Sequence, residues 1–303
     1  MAISRSQLVK ELEPGLNALF GLEYKRYENQ HAEIYTAENS DRAFEEEVML
    51  SGFGNAQVKG EGSGVSFDEA QETFTARYTH ETVALAFAIT EEAIEDNLYD
   101  RLASRYTKAL ARSMSNAKQV KSVEPLINGL PSTATFNTGD GVSLFNASHP
   151  TIAGTFANTL AVQADLNETS LEQSMIDIAK MTDERGLKVA ARGVKMIVPS
   201  ENQFNAERLM KSAGRTGTAD NDINAIASMG MIPQGYRVNN FLTDADSFYI
   251  ITDVPNGMKY FNRAPLTTAM EGDFDTGNVR YKARERYAFG ASDPRGIFGV
   301  EGA

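Results

Sequence analysis

The sequence predicts a mixed α/β fold, and three observations lead there. A glycine-spaced stretch runs into a long period-two strand pattern, one long amphipathic helix follows, and the rest of the chain alternates short helical and strand segments. At 303 residues and 42% hydrophobic content, the chain can pack one large core or two modest ones.

Taken in order, Ser4 and Gln7 form a capping box for a first helix carrying Leu8, Leu12, Leu16 and Leu19. Pro14-Gly15 interrupts it and predicts two short pieces or a kink. From Glu23 to Arg42 the sequence is polar and weakly patterned, which fits an arm that orders on a neighbouring copy or a loose surface segment. The acidic run Glu45-Glu46-Glu47 leads into Val48 and Leu50, and Gly52, Gly54, Gly60, Gly62 and Gly64 follow. Phe74, Ala76, Tyr78 and His80 then alternate with polar residues, and Val83, Leu85, Phe87 and Ile89 continue at period two. The segment reads as a long hairpin, each arm holding roughly 12–18 residues and reaching about 40–60 Å. An isolated two-stranded hairpin is marginal in water, so such an arm needs a surface to lie on, and another subunit is the natural one.

Thr90 caps the long helix, with Glu91 and Glu92 at its positive dipole end. Ile94, Leu98, Leu102, Tyr106, Leu110 and Met114 form an apolar stripe at four-residue steps. Acids (Glu91, Glu92, Glu95, Asp96, Asp100) fill the first half and bases (Arg101, Arg105, Lys108, Arg112, Lys118, Lys121) the second, so that most bases are expected to pair with neighbouring acids. Residues 129–164 are rich in Thr, Ser, Asn and Gly and read as a loop-dominated insertion. Thr169 and Glu172 open a helix with Leu171, Met175, Ile178 and Met181 on one side. Val194–Val198 is a buried strand, and Ser200 and Gln203 cap a helix with Phe204, Leu209 and Met210 facing inward. Residues 248–251, 280–289 and 297–300 are the remaining strands.

This order of elements resembles the major capsid proteins of tailed bacteriophages, whose fold is the Hong Kong ninety-seven type. Two segments are also similar to Mu-type major head subunits: Asp140-Gly141-Val142-Ser143-Leu144-Phe145-Asn146-Ala147-Ser148-His149-Pro150, and Gly193-Val194-Lys195-Met196-Ile197-Val198-Pro199-Ser200. The resemblance implies an N-terminal arm over 1–44, an E-loop hairpin over 45–89, a P-domain spine helix over 90–122 and an A-domain over 123–262. P-domain strands then return over 263–289 around the Asp273–Asn278 turn, and 290–303 close the A-domain. It implies a structural protein whose copies form hexamers and pentamers of an icosahedral head around double-stranded DNA, in a virion assembled in the host cytoplasm. Scaffolding, portal and decoration proteins are the implied further partners. The residues expected to serve assembly are Gly52, Gly54, Lys59, Gly60, Gly62 and Gly64 in the hairpin and Arg101, Arg105 and Arg112 on the spine helix. Some capsids of this fold join subunits by a lysine–asparagine isopeptide bond. Lys59 stands alone between Lys25 and Lys108, but no partner asparagine or carboxylate is identified, so no cross-link is expected. The alternatives are an encapsulin-like cargo shell and, from a different class, an α/β hydrolase-like enzyme.

Composition narrows the chemistry. With no cysteine the chain has neither disulfides nor thiolate metal sites. No apolar run approaches the ~18 residues of a membrane span, and Met1–Arg5 leads into an amphipathic helix rather than a signal core. A net charge of −12, with no basic cluster seen outside the spine helix, disfavours a phosphate-binding surface. His31, His80 and His149 lack metal-ligand spacing, so neither metal nor cofactor is expected. Ser143, His149 and Asp140 have the composition of a nucleophilic triad but lack a nucleophile elbow, so a loop hydrogen bond before Pro150 is the preferred reading. Gly60-x-Gly62-x-Gly64 lacks the lysine and following helix of a phosphate loop. Asp220-Asn221-Asp222 and Asp244-Ala245-Asp246 lack calcium-loop spacing and read as solvated turns.

Overall fold

The computed structural model describes residues 5–90, 92, 99–214, 222–273 and 277–303, the side chains of 5–13 and 99–102 excepted. Ser4, Glu91, Ile94, Leu98, Asp220 and Asn221 therefore lie outside the described residues, as do the side chains of Arg101 and Leu102.

The first sheet has the order β1-β10-β11-β4, built from β1 (Thr36–Asn39), β4 (Glu81–Ile89), β10 (Met258–Gly272) and β11 (Val279–Ala291). Along β11 the alternation puts Tyr281, Ala283, Glu285 and Tyr287 inside and leaves Arg280, Lys282 and Arg284 exposed. The inner face is covered by α1 (Arg5–Arg26) and the long helix α2 (Tyr99–Asn128), through Leu16, Phe20, Leu110, Ala111 and Met114.

α1 is one 22-residue helix that contains Pro14, not two pieces. The proline removes one backbone donor. Burial of Leu16 and Phe20 against α2 and Tyr281 holds the second half, and Asn17 Oδ1 accepts from Thr268 (2.7 Å) and Tyr281 (2.8 Å). The arm expected to order on a neighbour orders on its own chain: β1 pairs in parallel with Lys259–Asn262, and the Tyr35 hydroxyl donates to Ser122 O at 2.6 Å.

α2 continues to Asn128, beyond the expected end near 122. Its apolar seam is not the strict four-residue stripe, because Tyr106 is half exposed while Ala103, Thr107, Leu110, Ala111, Met114 and Ser115 are buried. Four residues turn an α-helix by about 400°, so a stripe at that spacing drifts ~40° per step and leaves the contact line. The seam keeps to the core by alternating steps of three and four.

The period-two run divides between two sheets. β2 (Phe44–Leu50) pairs antiparallel with β3 (Glu72–Thr79), and the chain then turns at His80 into β4, which pairs with β11. The hairpin arms are thus 7 and 8 residues long, shorter than the pattern suggested. Period two identifies strands and cannot say which strand is the partner.

The second sheet, β12-β9-β7-β8, consists of β7 (Gly193–Val198), β8 (Tyr236–Val238), β9 (Phe248–Thr252) and β12 (Ile297–Val300). Met196, Val198, Ile250, Phe298 and Val300 pack against Leu171, Met175 and Ile178 of α3 (Glu168–Lys180) and against Met181. The cap of α3 is Asn167 with Ser170, two residues before the expected Thr169–Glu172 box, since Asn167 Oδ1 accepts from Ser170 N at 2.8 Å. α4 (Gln203–Lys211) has no side-chain cap: Ser200 Oγ instead donates to Glu201. Leu209 is buried, but Phe204 is 68% exposed. Five residues separate them, about 140° around the helix, so both cannot face one core. Residues 129–164 form a short ladder of β5 (His149–Thr151) with β6 (Gly154–Phe156) and an isolated bridge of Asn137 with Ser143, and a short helix, α5 (Ala225–Met229), precedes β8.

Candidate assembly surfaces

The hairpin root is tied to the body by polar contacts. Glu47 receives Lys259 Nζ and the Ser292 hydroxyl, and Tyr78 Oη lies 2.5 Å from Ser292 Oγ. Beyond Ser51 the tie to the body is Arg185, which donates to Asp68 and to Glu69 O. Gly52 and Gly62 turn the chain at φ 63° and 77°, the left-handed region that favours glycine. Gly60 O accepts from Ser63 N and Oγ, and the Gly54 N–H donates to Asp68 at 2.6 Å, backed by Arg185 at 3.2 Å. The Gly54 and Glu69 amides hold the Asp68 carboxyl below its usual range. Lys59, Gly60 and Gly64 stand exposed, as do Phe53, Val58 (100%), Val65 and Phe67 (97%). The structure therefore brings all the hairpin residues of the expected set into one uncovered loop.

The spine residues form a separate surface. Arg105 and Arg112 are exposed with Lys108 between them, and none of the three has a carboxylate partner among the described residues, contrary to the pairing expected along this helix. Lys118 and Lys121 are paired: Lys118 meets buried Glu285 at 3.2 Å, and Lys121 meets Glu81 and Glu124. Burial pushes the Glu285 carboxyl up, and the Lys118 charge opposes it.

Sequence reasoning missed a second row of bases. On the face of the first sheet away from the helices, Arg280, Lys282 and Arg284 stand exposed at every second residue of β11 and half-buried Arg286 continues the row, flanked by Ala84, Ala86 and Ala88 on β4. Arg280 is paired with Asp273. This row corrects the expectation of no basic cluster outside the helix. Its signal is plain in Val279-Arg-Tyr-Lys-Ala-Arg-Glu-Arg286, where bases alternate with buried residues.

The Ser143–His149 region is not a nucleophilic site. His149 is fully buried, with Nδ1 2.6 Å from Asp140 Oδ2 and Nε2 3.0 Å from Asn158 Oδ1. The Asn158 amide is oriented by donating to Leu144 O (2.7 Å) and Pro294 O (3.0 Å), so its oxygen faces the ring. Both ring nitrogens thus face Asp140 and Asn158 oxygens, and neither faces a serine hydroxyl. Burial works against the charge on Asp140, but hydrogen bonds from His149, Thr138 and Val142 N–H hold its carboxyl below the usual range. Ser143 donates to Phe145 O and accepts from Asn146 Nδ2, and among the described residues no histidine or carboxylate bonds it. Phe156 stacks on His149 and lies beneath the Arg295 guanidinium, whose Nη2 meets buried Glu184 at 2.6 Å. Among the described residues no three His, Cys, Asp or Glu gather as a metal site, and no helix is long and apolar enough to cross a membrane.

A sequence model of the family described as phage capsid protein matches residues 72–300. No curated protein matches the chain. In fold, the chain is similar to a virus-like particle from Pyrococcus furiosus, with TM-score 0.55, 10% identity and coverage of 95% of this chain and 98% of that one. It is also similar to the capsid of Myoviridae phage XM1 (TM-score 0.53, 12% identity, 89% and 90% covered) and to a chain of Mycobacterium phage Ogopogo (0.54, 13%, 91% and 92%).

Proposed function

Because this chain belongs to the phage capsid protein family and is a major capsid protein, we propose that its copies form hexamers and pentamers of a closed icosahedral shell around double-stranded DNA, joined by the hairpin of each copy lying on a neighbour. One observation carries the reading. Residues 52–71 leave Phe53, Val58, Val65 and Phe67 in water, and apolar exposure of that kind in an ordered hairpin calls for a partner surface. With that role goes the division into arm (1–44), hairpin, spine, A-domain, returning strands (263–289) and closing strand (290–303), with β4 (Glu81–Ile89) counted with the returning strands it pairs with and the spine carried on to Asn128. The chain serves as a building block and performs no catalysis. Scaffolding, portal and decoration proteins complete the particle, which forms in the host cytoplasm. Purified protein imaged by electron microscopy after size exclusion should show closed particles of uniform diameter. Protein that stays monomeric at high concentration, or particles filled with protein cargo and lacking DNA, would overturn the corresponding part of this reading.

A further inference from the structure

β4 ends the order β1-β10-β11-β4, so its second edge has no strand partner among the described residues. Its pairing with β11 runs from Glu81 to Ile89 without a register shift. Between these ends it reads Thr82-Val83-Ala84-Leu85-Ala86-Phe87-Ala88, with no charge and no proline, and Ala84, Leu85 and Ala86 are exposed in succession, one side chain after another on opposite faces. Folded proteins protect sheet edges by shortness, charge, proline or bulges. The other edges here have such protection. β1 has 4 residues and carries Glu38, β8 has 3 and carries Arg237, and β2 holds the acidic run and a register shift between Val48 and Leu50. An edge as long and plain as β4 is a template for an added strand.

The same chain carries a segment suited to it. Residues 64–71 are exposed and form no ladder, and Val65 and Phe67 are two apart, so an extended backbone puts both on one side and Ser66 and Asp68 on the other. On β4 the matching sides differ in chemistry. Leu85 (46% exposed) stands on the face shared with Tyr106 (50% exposed), and the opposite face leads to Lys282 and Arg284. A strand added to β4 would lie about 10 Å from β11, within reach of lysine and arginine side chains.

Resting on the shell reading above, we propose that the open edge of β4 takes residues 64–71 of a second copy as an added strand, with Val65 and Phe67 over Leu85 and Tyr106 and Asp68 turned toward Lys282 and Arg284. Asp68 then exchanges its contacts with Gly54 and Arg185 in the free subunit for the cation row of its neighbour.

The absence of cysteine makes the test direct. Ala86→Cys is combined in turn with Ser66→Cys, Asp68→Cys and Ala70→Cys, which share the face of Ala86 in an added strand. Facing ladder residues have Cβ atoms ~5 Å apart, close enough for a disulfide to form. After mild oxidation at least one double variant should run as a ladder of linked subunits on a non-reducing gel, with unchanged melting temperature and with no ladder from any single variant. Linkage confined to one chain, which keeps the monomer mass, would overturn the proposal. Efficient dimerisation of Ala86→Cys alone would mean that β4 pairs with itself and would also overturn it. Particles without any linkage sink this inference and leave the shell reading standing, whereas linkage without particles supports the edge contact and sinks the shell.

Discussion

Residues 129–164 and residues 51–71 are both rich in glycine and serine, yet the first stretch is pinned and the second is free. In the first, Leu144, Phe145, His149 and Asn158 are wholly buried, and Asn158 alone joins two stretches of backbone through Leu144 O, Asn146 N, Pro294 O and Ile297 O. In the second, the hold on the body is Arg185 to Asp68 and Glu69 O at the surface. The two meet at Gly139, where an added Cβ would stand 2.8 Å from the backbone of Thr75 and Ala76, so the pinned loop props the root of the free hairpin. A polar loop becomes structure when its polar groups find buried partners, because each such group left unpaired would cost free energy. Residues 52–70 find no such buried partner among the described residues.

The comparison is broken most sharply at Arg295. Arg295→Ala leaves Glu184 buried and unpaired and removes the guanidinium from Phe156, and about 3–5 kcal/mol of stability should be lost, read as a large fall in melting temperature. A wild-type melting curve would mean that the pinned region is not held by its buried charges. Next in size is Asn158→Leu, which strands His149, the Asn146 N–H and three carbonyls; a loss of about 2–4 kcal/mol is expected, together with faster protease cleavage within 129–164. Cleavage confined to 51–71 in this variant would argue that the pinning lies elsewhere.

Acid sharpens the contrast further. Burial, followed by the Lys118 charge, lowers the pKa of His31 to about 4 from its ordinary 6.5. Between those values the unfolded chain binds more protons than the folded protein, so stability falls as pH drops from 6.5 to 4, by about 2–3 kcal/mol at the lower end. His31→Phe keeps the ring contacts with Tyr260 and Phe289 and should flatten that limb in denaturant titrations. The rate of cleavage at 51–71 should not follow His31 across the same window; if it does, the hairpin is coupled to the core. The smallest effect on folding is expected from removing Gly52–Gly64. The unfolding transition should stay within about 0.5 kcal/mol of wild type while particles disappear from micrographs. A variant that fails to fold would show that the hairpin belongs to the core after all.

Much of the fold was legible because periodicity reports burial. The inner residues of β11, the seam of α3 and the core of β7 follow their patterns. What periodicity could not reach was partnership. The run from Phe74 to Ile89 is one pattern in sequence and two strands of different sheets in space, and the arm before it found its partner on its own chain. Caps were displaced by two residues because several Ser, Thr and Asn residues compete near each helix start and tertiary packing chooses among them. Of the expected assembly residues, the hairpin glycines and Lys59 share one exposed loop and Arg105 and Arg112 share the spine, while the cation row of β11 is masked in the net charge because acids elsewhere in the chain outnumber it.

By itself the sequence determined the long helix and the principal strands, the apolar side of α3, β7 and β11, and that glycine and acid crowd one hairpin. These follow from short-range sterics and the period of burial, which need no knowledge of the partner. The tertiary structure alone decided which strands pair, which polar loop is buried, and that β4 ends its sheet with an open edge. Those outcomes depend on contacts between residues far apart in the chain, such as Asn158 with Pro294 or Ala86 with Lys282, and no local pattern encodes a distance of that kind.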